Sequence, residues 1–142
     1  MNITVFTPTY NRSTTLQRVY NSLLNQTDRD FLWLVIDDGS NDDTRQLVQK
    51  WISNNKLKIE YHFKENGGKH SAMRIAHQLT KTKYILCIDS DDELIKDAIK
   101  TFKEEWKNIE DAGLENNFAE ISGLTYYQDD KLVGNFYFPL KI

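Results

Sequence analysis

The 142-residue sequence contains one cysteine, two prolines and six glycines. A single cysteine excludes an intrachain disulfide framework. Cys87 lies in the apolar run Tyr84-Ile85-Leu86-Cys87-Ile88, where a small buried side chain is expected. Positive charge is not in surplus: 18 Lys and Arg against 21 Asp and Glu give a formal net charge of -3. Without a broad basic surface to neutralise a phosphate backbone, no nucleic-acid partner is expected. Long apolar runs are missing too. The longest, residues 31–36, falls far short of the roughly 20 residues that span a bilayer. Met1-Asn2-Ile3-Thr4 opens a strand in place of a signal peptide, so a soluble, cytoplasmic protein is expected. No internal repeat or low-complexity linker interrupts the chain.

What is present is a core: 39% apolar and 12% aromatic residues suffice for one globular domain over 1–142. Residues 3–7 read as a strand stopping at Pro8. A helix capped by Ser13 or Thr14 follows, with Leu16, Val19, Tyr20, Leu23 and Leu24 on one stripe. Residues 31–36 form a fully covered strand that runs into Asp37-Asp38-Gly39-Ser40. The next helix, capped within 40–43, turns Leu47, Val48, Trp51 and Ile52 inward and ends at Ser53-Asn54-Asn55. Residues 58–63 alternate as an edge strand, with Ile59, Tyr61 and Phe63 on the covered face.

Asn66-Gly67-Gly68 is a turn before a helix carrying Ala72, Met73, Ala76 and Leu79, and residues 84–88 form the fourth strand. Then comes Asp89-Ser90-Asp91-Asp92-Glu93, and a long helix with Ile95, Ala98, Ile99, Phe102, Trp106 and Ile109 inward, stopped by Gly113. Residues 119–127 and 132–138 suggest a hairpin turning at 128–131. Four strands each followed by a helix predict an α/β fold, a mainly parallel sheet covered on both faces. Ligands bind beyond the carboxyl ends of such strands. Those ends are 8–12, 37–40, 66–70 and 89–92.

Three carboxylates at one strand tip, Asp89, Asp91 and Asp92, repel one another unless a cation or a donor network offsets them. Mg²⁺ or Mn²⁺ suits such hard oxygens, and a partly hydrated ion completes its shell with phosphate. The competing reading is that these acids cap the next helix. One acid suffices for that role, and three beside a second acidic tip at Asp37-Asp38 exceed it. For Asp42 and Asp43 capping and solvation are preferred.

Thr7-Pro8-Thr9-Tyr10-Asn11-Arg12, Val35-Ile36-Asp37-Asp38-Gly39-Ser40 with Asp42-Asp43-Thr44, Asn66-Gly67-Gly68-Lys69-His70 and Asp89-Ser90-Asp91-Asp92 together resemble the family 2 glycosyltransferases in order and spacing. The resemblance covers residues 1 to about 125 and implies a GT-A fold, Rossmann-like, with 1–125 as donor-binding core and 126–142 as the start of an acceptor-side region. It implies a nucleotide-sugar donor, with Pro8, Thr9, Tyr10 and Arg12 lining the pocket and Asp38 accepting a hydrogen bond from the base, a role that suits the imide N–H of uracil. Tyr10 serves equally well as wall packing. Gly67, Lys69 and Arg74 would meet the diphosphate or the uridine edge, although by itself Gly67-Gly68 reads as a tight turn beside a solvated lysine. His77 reads as an exposed or lightly packed helix residue. Asp91 becomes the principal metal ligand, Asp92 its support, and Asp89 and Ser90 neighbours of the ribose or sugar.

Such an enzyme inverts the sugar carbon with a base supplied by a later segment, for a glycan or lipid-linked acceptor. The expectation is therefore that this chain ends before its base and acceptor site. A lipid-linked acceptor would bring it to the inner face of a membrane as a peripheral protein. A non-catalytic sugar-nucleotide-binding or regulatory module fits the same residues. A phosphoacceptor receiver or an aspartyl phosphohydrolase wants its acids after the first strand, and a nucleotidyltransferase wants a glycine-rich loop there; this chain has Pro8-Thr9-Tyr10-Asn11.

Overall fold

A computed structural model describes residues 3–117 together with 123, 126 and 131. The chain divides into two compact units, Met1–Glu105 and Trp106–Ile142. The expected hairpin over 119–138, with Asp129 and Asp130 in its turn, lies outside the described residues apart from those three positions.

Four strands, β1 (Ile3–Thr9), β2 (Phe31–Asp37), β3 (Ile59–Phe63) and β4 (Tyr84–Cys87), alternate with α1 (Leu16–Leu24), α2 (Thr44–Asn54), α3 (Lys69–Leu79) and α4 (Ala98–Asp111). The sheet order is β3-β2-β1-β4 and every neighbouring pair is parallel. Parallel pairing needs a crossover between strands, which the helices provide. The chain moves outward from β1 to β2 and β3, then returns to place β4 on the other side of β1. The order of strands thus reverses beside β1, where a crevice opens in sheets of this type.

β1 runs on through Pro8 to Thr9, two residues past the expected stop. The reason lies in which neighbour each peptide faces. The carbonyl of Thr9 accepts the amide of Asp38 on the β2 side, whereas the carbonyl of Phe6 accepts the amide of Ile88 on the β4 side. By alternation Pro8 points its missing N–H towards β4, beyond the last β1–β4 pair, Phe6↔Cys87. No ladder bond is lost there.

The two-residue period sorts the sheet into two covered faces. On one, Trp33 of β2 meets Tyr20 of α1 and Trp51 of α2, all buried. The Tyr20 and Trp51 rings stack with centroids 4.3 Å apart and planes 3° from parallel, and Trp33 lies 5.7 Å from Trp51. On the other, Phe6, Leu34 and Ile36 pack on Ala72 and Ala76 of α3, with Met73 and Leu79 beside them. Alanines let the helix sit close to the sheet.

Four local expectations are corrected. α1 begins after Thr15, which makes no side-chain cap; the carbonyl of Arg12 takes the amides of Thr15 and Leu16 instead. Cys87 is exposed, at the end of the outermost described strand on its side of the sheet. Phe63, last in the other edge strand, is also exposed, with the Arg45 guanidinium 5.6 Å from its ring centre. Ile95 is 77% exposed and precedes α4, which starts only at Ala98. Buried Gln26 fixes that start, since its amide donates to the carbonyls of Ser22 and Ile95 and its oxygen accepts from Ile99 N–H. Gly113 ends α4 as expected, at φ 67°. Among the described residues no helix is long and apolar enough to cross a membrane.

Trp51→Ala removes the ring that meets both Tyr20 and Trp33 and leaves a cavity, so unfolding free energy from urea titration should fall by about 3–5 kcal/mol.

Candidate functional site

The tips of β1, β2 and β3 are tied together by one segment, residues 38–44 from the end of β2 into the first residue of α2. Three backbone N–H groups of the β1–α1 loop point at its side chains: Asn11 donates to Ser40 Oγ at 2.8 Å, Arg12 to Thr44 Oγ1 at 3.1 Å and Ser13 to Asp42 Oδ2 at 3.0 Å. In return the Asn41 amide donates to Asn11 Oδ1 at 2.8 Å. Asn11 itself holds a left-handed φ of 52°. Asp42 also takes both the amide and the hydroxyl of Thr44 on Oδ1. It does more than cap and face water, therefore. Burial alone would raise its pKa, but the Thr44 hydroxyl and the donors of Ser13 and Thr44 outweigh it and hold the group at about 2.

The first two acids of this segment are structural. Asp37 is fully buried and accepts from the Ser40 amide at 2.8 Å and from the Tyr61 hydroxyl at 2.6 Å. Burial first, and then that carboxylate, push the Tyr61 phenol well above its ordinary pKa. Asp38, 5% exposed, grips the β3–α3 turn. Its Oδ1 accepts from Gly67 N–H at 3.0 Å and from the Lys64 ammonium, and its Oδ2 from Gly68 N–H at 2.7 Å. Burial opposes the charged form, yet Lys64 and the two amides lower its pKa. A carboxylate oxygen accepts two bonds, so Oδ2 keeps one position for the base contact expected of Asp38. Gly39 is required where the two loops meet: its φ is 90°, and a Cβ there would stand 2.9 Å from the Asn66 nitrogen.

The acidic loop is a turn in which Asp92 N–H donates to the Asp89 carbonyl. It stops well short of α4 at Ala98, so the capping reading fails. Each of the other two loops sends it one cation. Lys69 donates to Asp89 at 2.5 Å, and Arg12 lies 3.7 Å from Asp91. The bond to Asp89 raises the Lys69 pKa. Two cations against Asp89, Asp91 and Asp92 leave one negative charge over. Asp92 registers it: burial, then Asp89 and Asp91, raise its pKa. Ser90 is buried between them in sequence.

Of the residues read from sequence, Arg12, Lys69, Asp89 and Asp91 are brought together directly, and Asp38 and Gly67 through one hydrogen bond. Tyr10 is 48% exposed, so wall packing does not consume its ring. Pro8 is half-buried and Thr9 buried, its hydroxyl without a partner among the described residues. Arg74 and His77 are exposed on α3. Arg74 lies five residues on from Lys69, about 140° round the helix, and does not join the cluster. Sequence reading missed Lys64, Tyr61 and Gln26; an isolated lysine or glutamine carries no local signal of its buried partner.

Carboxylates are hard donors that fit Mg²⁺ or Mn²⁺. Among the described residues no three His, Cys, Asp or Glu side chains are gathered so that they could hold a metal ion together. One or two carboxylates with a surplus charge match the looser mode, in which phosphate and water complete the shell.

An all-parallel α/β sheet whose order reverses at the central strand, with charged loops gathered at its carboxyl ends, is the GT-A type of sugar-nucleotide fold, and solved structures of that type superpose on it. S. aureus TarS 1-349 matches 78% of this chain and 33% of its own at 31% identity with a TM-score of 0.66. A crystal structure of the same protein with UDP-GlcNAc gives 0.65. The mannosyltransferase PcManGT of Pyrobaculum calidifontis, in complex with GDP-Man and Mn²⁺, matches 64% of this chain and 28% of its own at 25% identity and 0.61. Residues 4–132 match the family described as Glycosyl transferase family 2, and the chain belongs to that family. A chondroitin synthase of Pasteurella multocida (strain Pm70) is 36% identical over 104 residues, 73% of this chain and 11% of the relative. The glycosyltransferase GlyG of Streptococcus pneumoniae serotype 4 is 27% identical over 137 residues, 96% of this chain and 42% of the relative. The chain thus spans less than half the length of either.

Two outcomes follow from the loop geometry. Gly39→Ala forces a left-handed alanine against backbone, so thermal unfolding should show a loss of about 1–3 kcal/mol. The second concerns acid. Because Asp42 is held at about 2 against a usual 3.8, its contribution is complete above pH of about 4 and is lost as pH falls towards about 2. Melting curves of wild type and Asp42→Asn should therefore diverge most near neutrality and converge at pH of about 2.

Proposed function

We propose that this chain forms the donor-binding part of a metal-dependent, inverting glycosyltransferase that takes its sugar from UDP and delivers it to a glycan or lipid-linked acceptor. The observation that carries the reading is the charged junction at the reversal point of the sheet, where Arg12 and Lys69 from two loops meet Asp91 and Asp89 of a third. A donor diphosphate is an anion that bare carboxylates would repel. Arg12 and Lys69 would neutralise it, and Lys69 stands at the first residue of α3, a helix end that favours negative charge. The half-exposed Tyr10 ring offers a stacking face for the base.

Asp91, supported by Asp92, would hold Mg²⁺ or Mn²⁺. The ion, when bound, supplies Lewis-acid stabilisation of the leaving diphosphate. In the transfer the acceptor oxygen bonds to the anomeric carbon as the bond to UDP breaks, and the hydroxyl proton passes to a base. Lys69 and Arg12 act on the leaving side, where charge develops. Donor chemistry is supported by TarS, a relative crystallised with UDP and with UDP-GlcNAc.

Calorimetric titration of UDP with and without Mn²⁺ tests this reading. Binding that needs Mn²⁺ and disappears in Asp91→Ala is expected. A folded wild-type chain that binds no UDP under either condition would overturn it.

A further inference from the structure

Asp42 has no place in the chemistry above, yet it has one of the most strongly depressed acid groups in the molecule and sits in the densest set of bonds between loops. The β1–α1 loop leaves the sheet at Tyr10 and reaches α1 only at Leu16. Within it Asn11, Arg12 and Ser13 present consecutive amides that a short loop cannot satisfy from its own backbone. All three are instead taken by Ser40, Thr44 and Asp42. Asp42 is the keystone of that set, because one oxygen holds Ser13 while the other holds the Thr44 hydroxyl whose oxygen accepts from Arg12. The Arg12 backbone is thereby fixed on both sides, and its guanidinium projects to Asp91.

We propose that Asp42 is a positioning residue for donor binding: it fixes the Arg12–Ser13 backbone so that the Arg12 guanidinium stands beside the acidic loop before the diphosphate arrives. The inference rests on the donor role assigned to Arg12 above. Its energetic logic is preorganisation, since an arginine already aimed loses less freedom on binding than one that must be recruited.

Asp42→Asn isolates the effect. With its oxygen kept towards Thr44, the new NH₂ group faces the Ser13 N–H, donor against donor. Affinity for UDP with Mn²⁺ should fall about three- to tenfold, the worth of one hydrogen bond. Asp43→Asn, at an exposed neighbour that makes no side-chain cap, should bind as wild type. A purely structural role would weaken binding equally in any background. A positioning role predicts that in Arg12→Gln the Asp42→Asn change costs no further affinity, and additivity in that cycle overturns the proposal. Ser40→Ala, which frees only the Asn11 amide, gives the same readout in smaller measure should Asp42→Asn fail to fold. Amide exchange separates the two proposals: the Ser13 amide should be protected in wild type and exposed in Asp42→Asn whether or not UDP binds. Fast Ser13 exchange in wild type would sink the positioning role alone, and protected amides without UDP binding would sink the donor reading.

Discussion

Backbone amides that a loop cannot satisfy by itself are the constraint on which this site depends. The β1–α1 loop and the β3–α3 turn both leave such donors, Asn11 to Ser13 in one and Gly67 with Gly68 in the other. These amides lie at or near the surface, where water is the competing partner, so pairing them inside the protein serves to fix the two loops more than to avoid a buried unpaired donor. The segment between β2 and α2, with Thr44 at the helix start, answers all five with side-chain oxygens. Its run of Asp, Ser and Thr residues is best understood as a set of acceptors facing outward to two neighbours, with Gly39 allowing the closest approach.

That arrangement places the charges. Once two loops are held by the third, Arg12 and Lys69 have little choice of direction, and each meets an acid of the fourth loop. The site is electrostatically self-compensated except at Asp92, and an incoming ion with its diphosphate exchanges one set of pairs for another. Exposed pairs of this kind are worth little to stability. They are easily given up, which suits a place where a ligand must enter.

Much of this was legible in the sequence, for definite reasons. Apolar runs that stop abruptly at Asp37-Asp38 and at Asp89 announce strand tips. Helical spacing of Ala72 and Ala76 located α3, and four tips in one order predicted a parallel sheet. The misses concern partners and edges. Cys87 looked buried because its neighbours in sequence are apolar, but exposure is set by the neighbour strand, and among the described strands β4 has none beyond it. Ile95 fitted a helical stripe that starts three residues later, since Gln26 fixes the start of α4 from 73 residues away. Lys64 reads as an ordinary surface lysine until topology brings Asp38 over it. For Asp42, capping was the natural local reading, and only the sheet order shows that its second oxygen serves another loop.

The order of the strands also bears on how the chain reaches this state. β1 is central, and its partner on one side is β4, with Ile3 opposite Tyr84. As the polypeptide is synthesised, β2 can dock on β1 early, but the opposite flank of β1 stays open until residue 87 has emerged and crossed back. Contacts so distant in sequence form slowly. Until then Thr4 and Phe6 present a bare flank to the surroundings, and no part of the charged junction between the first and last loops exists. Recognition of any ligand at the junction is accordingly a late event in the folding of each chain.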